Sequence, residues 1–397
     1  MIARLLTWLK DRSNAGSLAI ALYLLSLGMP MNAKIPLAIL SLGCLAVPAR
    51  QHRLNAPSIG VALAVFVLAS LLSGLASIDH ARTLATSFAW LPAALLFYLI
   101  TYHSGKAGIS VICHALTTLS LMIACYLLAM RWQVAQNDPT AWLQQAGYPH
   151  LKVPNDLLMI AVLAPFARAL SRLECHTYCK TYALLSLLLT LITIVLFRSK
   201  AAFIIFLVSV IASEVLNAPK RACIGLVTAV LLGIAIDATQ GFPFLEKILN
   251  SRLWSNRVPL WIAAWKIFLD APILGQGPGS FAVINEAYLQ HIELPDWVIR
   301  DSRHAPWAHS LYLELLAERG LVGAASFIYL MAIVCRALWK KIVSTPHSEY
   351  YHISVATAAS LLGMLLASIF ELSLVRYWVI IVFSLLIALA SIVVDKT

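Results

Sequence analysis

The sequence predicts an all-α integral membrane protein of about twelve transmembrane helices, with one large loop on the non-cytoplasmic side that itself contains interfacial helices. Three observations carry that prediction. Of 397 residues, 61% are hydrophobic and 12% charged, whereas a soluble globular chain has roughly 25% charged residues. That leaves too little polar surface to face water on all sides. The apolar residues are gathered in runs approaching the ~20 residues that a helix needs to cross a ~30 Å hydrocarbon layer. One interval, residues 237–309, has no run of that length.

The apolar runs cover roughly 15–29, 34–48, 59–75, 86–101, 109–129, 154–171, 181–197, 201–216, 222–237, 320–337, 354–370 and 374–394. Residues 1–236 therefore hold nine expected spans, 237–309 the long loop, and 310–397 three more spans. The basic stretch Met1–Arg12 precedes the first run without a small-residue cleavage site, as expected of an uncleaved first span. A second, shorter loop is expected from Arg131 to Val153, where Gln, Asn, Asp and Pro accumulate. With a cytoplasmic N-terminus, fifteen Lys and Arg fall on the inside against seven in short outside segments, so both termini are read as cytoplasmic. The net charge of +11 is then a matter of topology. No interleaved basic and aromatic pattern points to nucleic acid, and none is expected as a partner. Membrane lipid is.

There are seven cysteines and none lies in the long loop, which excludes a disulfide framework there. Cys175, His176 and Cys179 stand close together but lack the second ligand pair of a zinc site, so no metal is expected.

Within the loop, residues 255–270 read as a helix, capped by Ser255 or Asn256 with Pro259 in its first turn. Arg257, Trp261, Trp265 and Leu269 recur every four residues and share one face. Trp261, Trp265 and Phe268 would anchor it at the membrane interface. Gly275, Gly277 and Gly279 follow, either as a tight turn or as a cradle of N–H groups for a phosphate. Then come Arg303, His304 and His309, with Glu314 and Glu318 beyond them. Far upstream, Arg198 sits in a tight break between two apolar runs, on the same expected side as the loop. Ions near membrane depth are costly and mark candidate functional positions.

Three segments resemble the O-antigen ligase superfamily, whose members share the C-terminal domain of O-antigen polymerases. Arg257 to Trp261, continuing through Pro272 and Gly275-Gln-Gly277 to Phe281, is similar to the family's Arg-to-Trp helix and Pro-x-x-Gly-x-Gly turn. His309-Ser310, with Glu318-Arg-Gly320 following, resembles its His-Asn segment and later Glu-x-Gly, with Ser310 in place of Asn. Arg198-Ser-Lys-Ala resembles its Ser-Arg-x-Ala motif, with Phe197 in place of Ser.

The resemblance implies a glycosyltransferase at the periplasmic face of the bacterial inner membrane. Its donor would be O-antigen on undecaprenyl pyrophosphate and its acceptor a sugar of lipid A-core. Arg198 and Arg257 would bind the pyrophosphate as planar, permanently charged forks. His309 would be the base for the acceptor hydroxyl. Arg303, His304, Glu314 and Glu318 would be second-tier candidates. The reaction would be metal-independent and inverting, with no cofactor. An O-antigen polymerase and a protein O-oligosaccharyltransferase are alternatives within the superfamily; a lipid-linked glycan flippase is one from a different class.

Overall fold

The computed structural model describes residues 12–28, 57–103, 106–137, 153–173, 176–197, 199–215, 257–294, 305–346 and 348–394, with isolated positions at 220–238 and 298. Among these residues the chain is helical and has no strand. The helices are α1 (Arg12–Ser26), α2 (Pro57–Leu75), α3 (His80–Phe88), α4 (Leu91–His103), α5 (Lys106–Asn137), α6 (Val153–Leu173) and α7 (Thr177–Leu196). They continue with α8 (Lys200–Val215), α9 (Val258–Asp270), α10 (Phe281–Gln290), α11 (Leu311–Ser344), α12 (Glu349–Ala367) and α13 (Tyr377–Val394).

Six stretches are long and apolar enough to cross a membrane: α2, the α3–α4 pair, most of α5, α7, α11 and α12. α1 and α13 contribute shorter apolar helices. The described residues thus establish a multi-pass helical membrane protein with fewer qualifying spans than the sequence suggests. The run at 34–48 lies outside them, and 222–237 is described only at isolated positions. Two boundaries move. α5 continues six residues past Arg131 to Asn137, because no Pro or Gly stops it until Pro139. α11 starts at Leu311 and kinks at Gly320, where the sequence suggests that the span begins.

Packing explains why α6 can carry charge and still sit inside. Leu157 to Ala164 are buried on every side, the pattern of a helix surrounded by others. Its neighbours are α5, α7, α8 and α12. α13 is enclosed in the same way from Val379 to Ala390. α2 instead leaves Val61, Leu68, Leu71 and Leu75 exposed, a face suited to lipid.

The direction of the helices gives the bundle two ends. At one end α11 begins, α12 finishes and α13 begins. Leu311 N–H donates to the carbonyl of Ser368 at 2.8 Å, and Tyr312 Oη to that of Leu365 at 2.9 Å. α1 reaches the same end, where Tyr23 and Tyr377 share a 2.7 Å hydroxyl contact. So does α7: buried Arg131 bonds the carbonyl of Leu196, and its guanidinium lies 5.3 Å from the Phe197 ring. A cation on those last carbonyls is favourable because the C-terminal helix dipole is negative.

Candidate functional site

His309 precedes the first turn of α11 and is the one described non-glycine residue with a left-handed backbone, φ 51°. Such a conformation is uncommon outside glycine and persists where its surroundings enforce it. Here they do: Ala308 is fully buried, Leu311 is tied to Ser368, and Ser373 Oγ donates to Glu314 Oε1 at 2.5 Å. These contacts fold the α12–α13 turn onto the start of α11 and bring Glu371 to His309.

Glu371 is the hub. Arg257 Nη2 lies 2.5 Å from its Oε2 and Arg376 Nη2 3.3 Å from its Oε1. His309 Nδ1 is 3.6 Å from the same Oε1, within ion-pair range. Burial pushes the Glu371 carboxyl up, but the His309 ring and the charges of Arg257 and Arg376 outweigh it and hold the group below its ordinary value. Arg376 is 8% exposed, and its guanidinium carbon stands 4.4 Å from the Trp307 ring centroid, a cation–π contact. Its Nε and Nη1 are buried with no hydrogen-bond acceptor. Trp307 also meets the His309 ring edge to face at 5.8 Å. Two guanidiniums thus share one carboxylate beside an imidazole, and the buried guanidinium donors left unmatched there, among the described residues, are those of Arg376.

Arg257 arrives on α9. Pro259 in the first turn needs no N–H partner, and Trp261 N–H closes on the Arg257 carbonyl at 3.0 Å. Ser255 and Asn256, the expected caps, lie outside the described residues. Leu260, Ala264 and Ile267 pack with Phe281, Ala308 and Ala317 against α10 and α11. Phe268 also faces inward, so it packs where the sequence suggests an interfacial anchor; Trp265 and Leu269 stay exposed.

The glycine turn resolves as a clasp around the kink in α11. Gln276 N–H donates to the carbonyl of Ala317 at 3.0 Å, and Gly277 N–H to that of Glu318 at 2.9 Å. Leu321 N–H returns to the Pro272 carbonyl at 2.8 Å. Gly320 has φ 60° and ψ −163°, a region open to glycine alone, and a β-carbon there would stand 2.4 Å from the Ile273 carbonyl oxygen. Gly275, also left-handed, would place one 2.3 Å from the Glu318 backbone. The remaining N–H groups, of Gly279 and Phe281, bond the Glu318 carboxylate. The turn therefore holds an anion of the protein itself. Of the two sequence readings, the tight turn is the one the hydrogen bonds fit.

Glu318 is buried and also meets Arg319 at 3.3 Å, and Arg319 in turn reaches Ser70 on α2 at 3.2 Å. Glu314 is fully buried and turned toward the α12–α13 turn through Ser373, near Arg376. Of the residues singled out in the sequence, His309 and Arg257 are thus brought together. Glu314 lies close by, and Glu318 is locked in the clasp. Arg198, Arg303 and His304 lie outside the described residues. Among the described residues no three His, Cys, Asp or Glu side chains group as metal ligands.

The sequence reading missed Glu371, Arg376 and Trp307. The signal for the first two is their place: a carboxylate just past one apolar run and a guanidinium inside the start of the next, where ions are costly.

The site is a charged cluster at one end of a polytopic helical bundle, with two arginines and a histidine meeting at a carboxylate. A family model described as O-antigen ligase matches residues 185–328, an interval containing Arg198, Arg257 and His309 but neither Glu371 nor Arg376. Over that segment, about a third of the chain, the protein is similar to the O-antigen ligase family. No curated protein matches the chain.

Proposed function

We propose that this protein is an O-antigen ligase. It moves O-antigen polysaccharide from undecaprenyl pyrophosphate to a sugar of lipid A-core at the periplasmic face of the inner membrane, within a twelve-span chain whose termini are both cytoplasmic. The observation that carries this reading is the convergence of Arg257 and His309 on Glu371.

The chemistry follows from that convergence. His309 turns Nδ1 toward Glu371, which leaves Nε2 to take the proton of the acceptor hydroxyl. The hydroxyl oxygen bonds to the anomeric carbon as the bond to the pyrophosphate oxygen breaks, inverting that carbon. The leaving pyrophosphate keeps the electron pair, and arginine stabilises its growing charge. Arg257 serves here, with Arg198 as the second expected ligand. Arg376 joins them, since its unused Nε and Nη1 donors need an anionic acceptor. Glu371 stabilises the imidazolium formed on His309. With three guanidiniums available, the step needs no metal. Arg303 and His304 are assigned to the acceptor side, and Glu314 and Glu318 to supporting the fold.

Lipopolysaccharide from a deletion strain tests the function. A ligase leaves uncapped core together with full-length lipid-linked chains. Loss of polymerised chains would instead make the protein a polymerase, and lipid-linked glycan trapped on the cytoplasmic side would make it a flippase. Full transfer in chelator is expected; strict metal dependence would overturn the metal-free step.

A further inference from the structure

The opposite end of the bundle carries a second ion cluster that the transfer reaction does not use. Arg168 and Arg172 stand one turn apart near the end of α6, and both reach Glu214 near the end of α8. Arg168 Nε bonds Glu214 Oε1, and Arg172 Nη2 lies 2.9 Å from Oε2. Two guanidiniums again share one carboxylate, leaving one unit of positive charge. Arg172 Nε is buried with no acceptor.

These side chains line a shallow, solvent-open cleft between α6, α8 and α12, with Ser213, His352 and Val355 on its other walls. The cleft lies at a membrane boundary. His352 is in the first turn of α12, and that helix ends at Ala367, beside the Glu371 turn. Fifteen residues of helix span about 22 Å, roughly three quarters of the ~30 Å hydrocarbon layer, so the two clusters lie toward opposite faces of it. Around the same end, Trp339 and Tyr178 are exposed, as aromatic residues are at a membrane interface. Lys341 is buried there, with its ammonium 5.3 Å from the Tyr350 ring.

We propose that this cleft binds the phosphate of an anionic phospholipid headgroup in the leaflet opposite His309. A phosphodiester carries one negative charge, matching the single positive charge that Glu214 leaves uncompensated. Its oxygens would accept from Arg172 Nε, which no group among the described residues satisfies. Basic pockets between membrane helices recognise acidic headgroups in this way. The bound lipid would join α6, α8 and α12 and stabilise their packing. This inference does not depend on the transfer reaction.

The test is the melting temperature of the full-length protein in detergent micelles doped with phosphatidylglycerol, with phosphatidylcholine, or with inorganic phosphate alone. Phosphatidylglycerol should raise it by roughly 3 °C or more over phosphatidylcholine, with no effect of inorganic phosphate. Arg172→Gln should lose most of that difference and Arg172→Lys should keep much of it. An equal shift from inorganic phosphate would make the ligand a free phosphate and overturn the lipid assignment. An unchanged phosphatidylglycerol effect in Arg172→Gln, or none in the wild type, would overturn the site. Native mass spectrometry of the wild type with equimolar phosphatidylglycerol and phosphatidylcholine gives a readout that needs no variant: preferential retention of the anionic lipid is expected, and equal retention contradicts the proposal.

Discussion

Arg257 and Glu371 are 114 positions apart in sequence and form a 2.5 Å ion pair. The pair ties the loop helix α9 to the turn between the last two helices, across the mouth where α11 begins. Glu371 is largely buried, and removing one partner of such a pair leaves the other without compensation. Arg257 thus holds the turn, and on the proposed reading it also meets the donor's phosphate.

Arg257→Lys separates charge from shape. Lysine keeps the positive charge but loses the planar fork. Transfer from the lipid-linked donor should fall about tenfold or more, mainly through a raised donor KM. Initial rates at varied donor concentration check this, and an unchanged rate would remove the role of bidentate recognition.

His309→Ala removes the proposed base. Transfer should fall by about 10²–10⁴-fold, while the amount of protein in the membrane stays at the wild-type level. Purified protein with donor and acceptor glycolipids provides the measurement. Retained activity would exclude His309 as the base.

Glu371→Gln tests the hub through acid stability. In the folded protein this carboxyl is held below its ordinary value of 4.5, so folding favours the ionised form. That contribution is complete above pH 4.5 and is lost as the pH falls through the lower folded value. Melting curves in detergent should show the wild type losing its advantage over Glu371→Gln as the pH drops below that point. Parallel curves for the two proteins across the window would contradict the network.

What the sequence revealed and what it hid divide along a physical line. Composition and apolar runs expose helices that face lipid, because the solvent selects those residues directly. Arg257 and His309 stand out because they lie in motifs of local sequence. Glu371 and Arg376 do not, since their meaning depends on α12 ending beside the start of α11, a tertiary fact with no local pattern. Arg131 misled for a similar reason: a charge after an apolar run resembles a loop, yet here it is buried against the end of α7. Glycine spacing was informative about backbone, but whether those N–H groups faced a substrate or the protein depended on Glu318, about forty residues away.

Gly320→Ala tests the clasp. A β-carbon would meet the Ile273 carbonyl oxygen, and the backbone itself would be strained by about 1–3 kcal/mol. Melting temperature and transfer should both fall, since α9 and the start of α11 lose their common seat. A variant of normal stability and activity would show that the turn and the kink are separable.

The clasp has a consequence for substrate length. Gly275 and Gly320 interlock, so the turn after α9 and the kink of α11 are fastened together by backbone hydrogen bonds. On the proposed reading, the spacing between the phosphate at Arg257 and the base His309 would be set by that backbone and would owe nothing to the far end of the sugar chain. A ligase built this way would measure only the linkage it cuts, and glycans of two repeats or of fifty would present it with the same task.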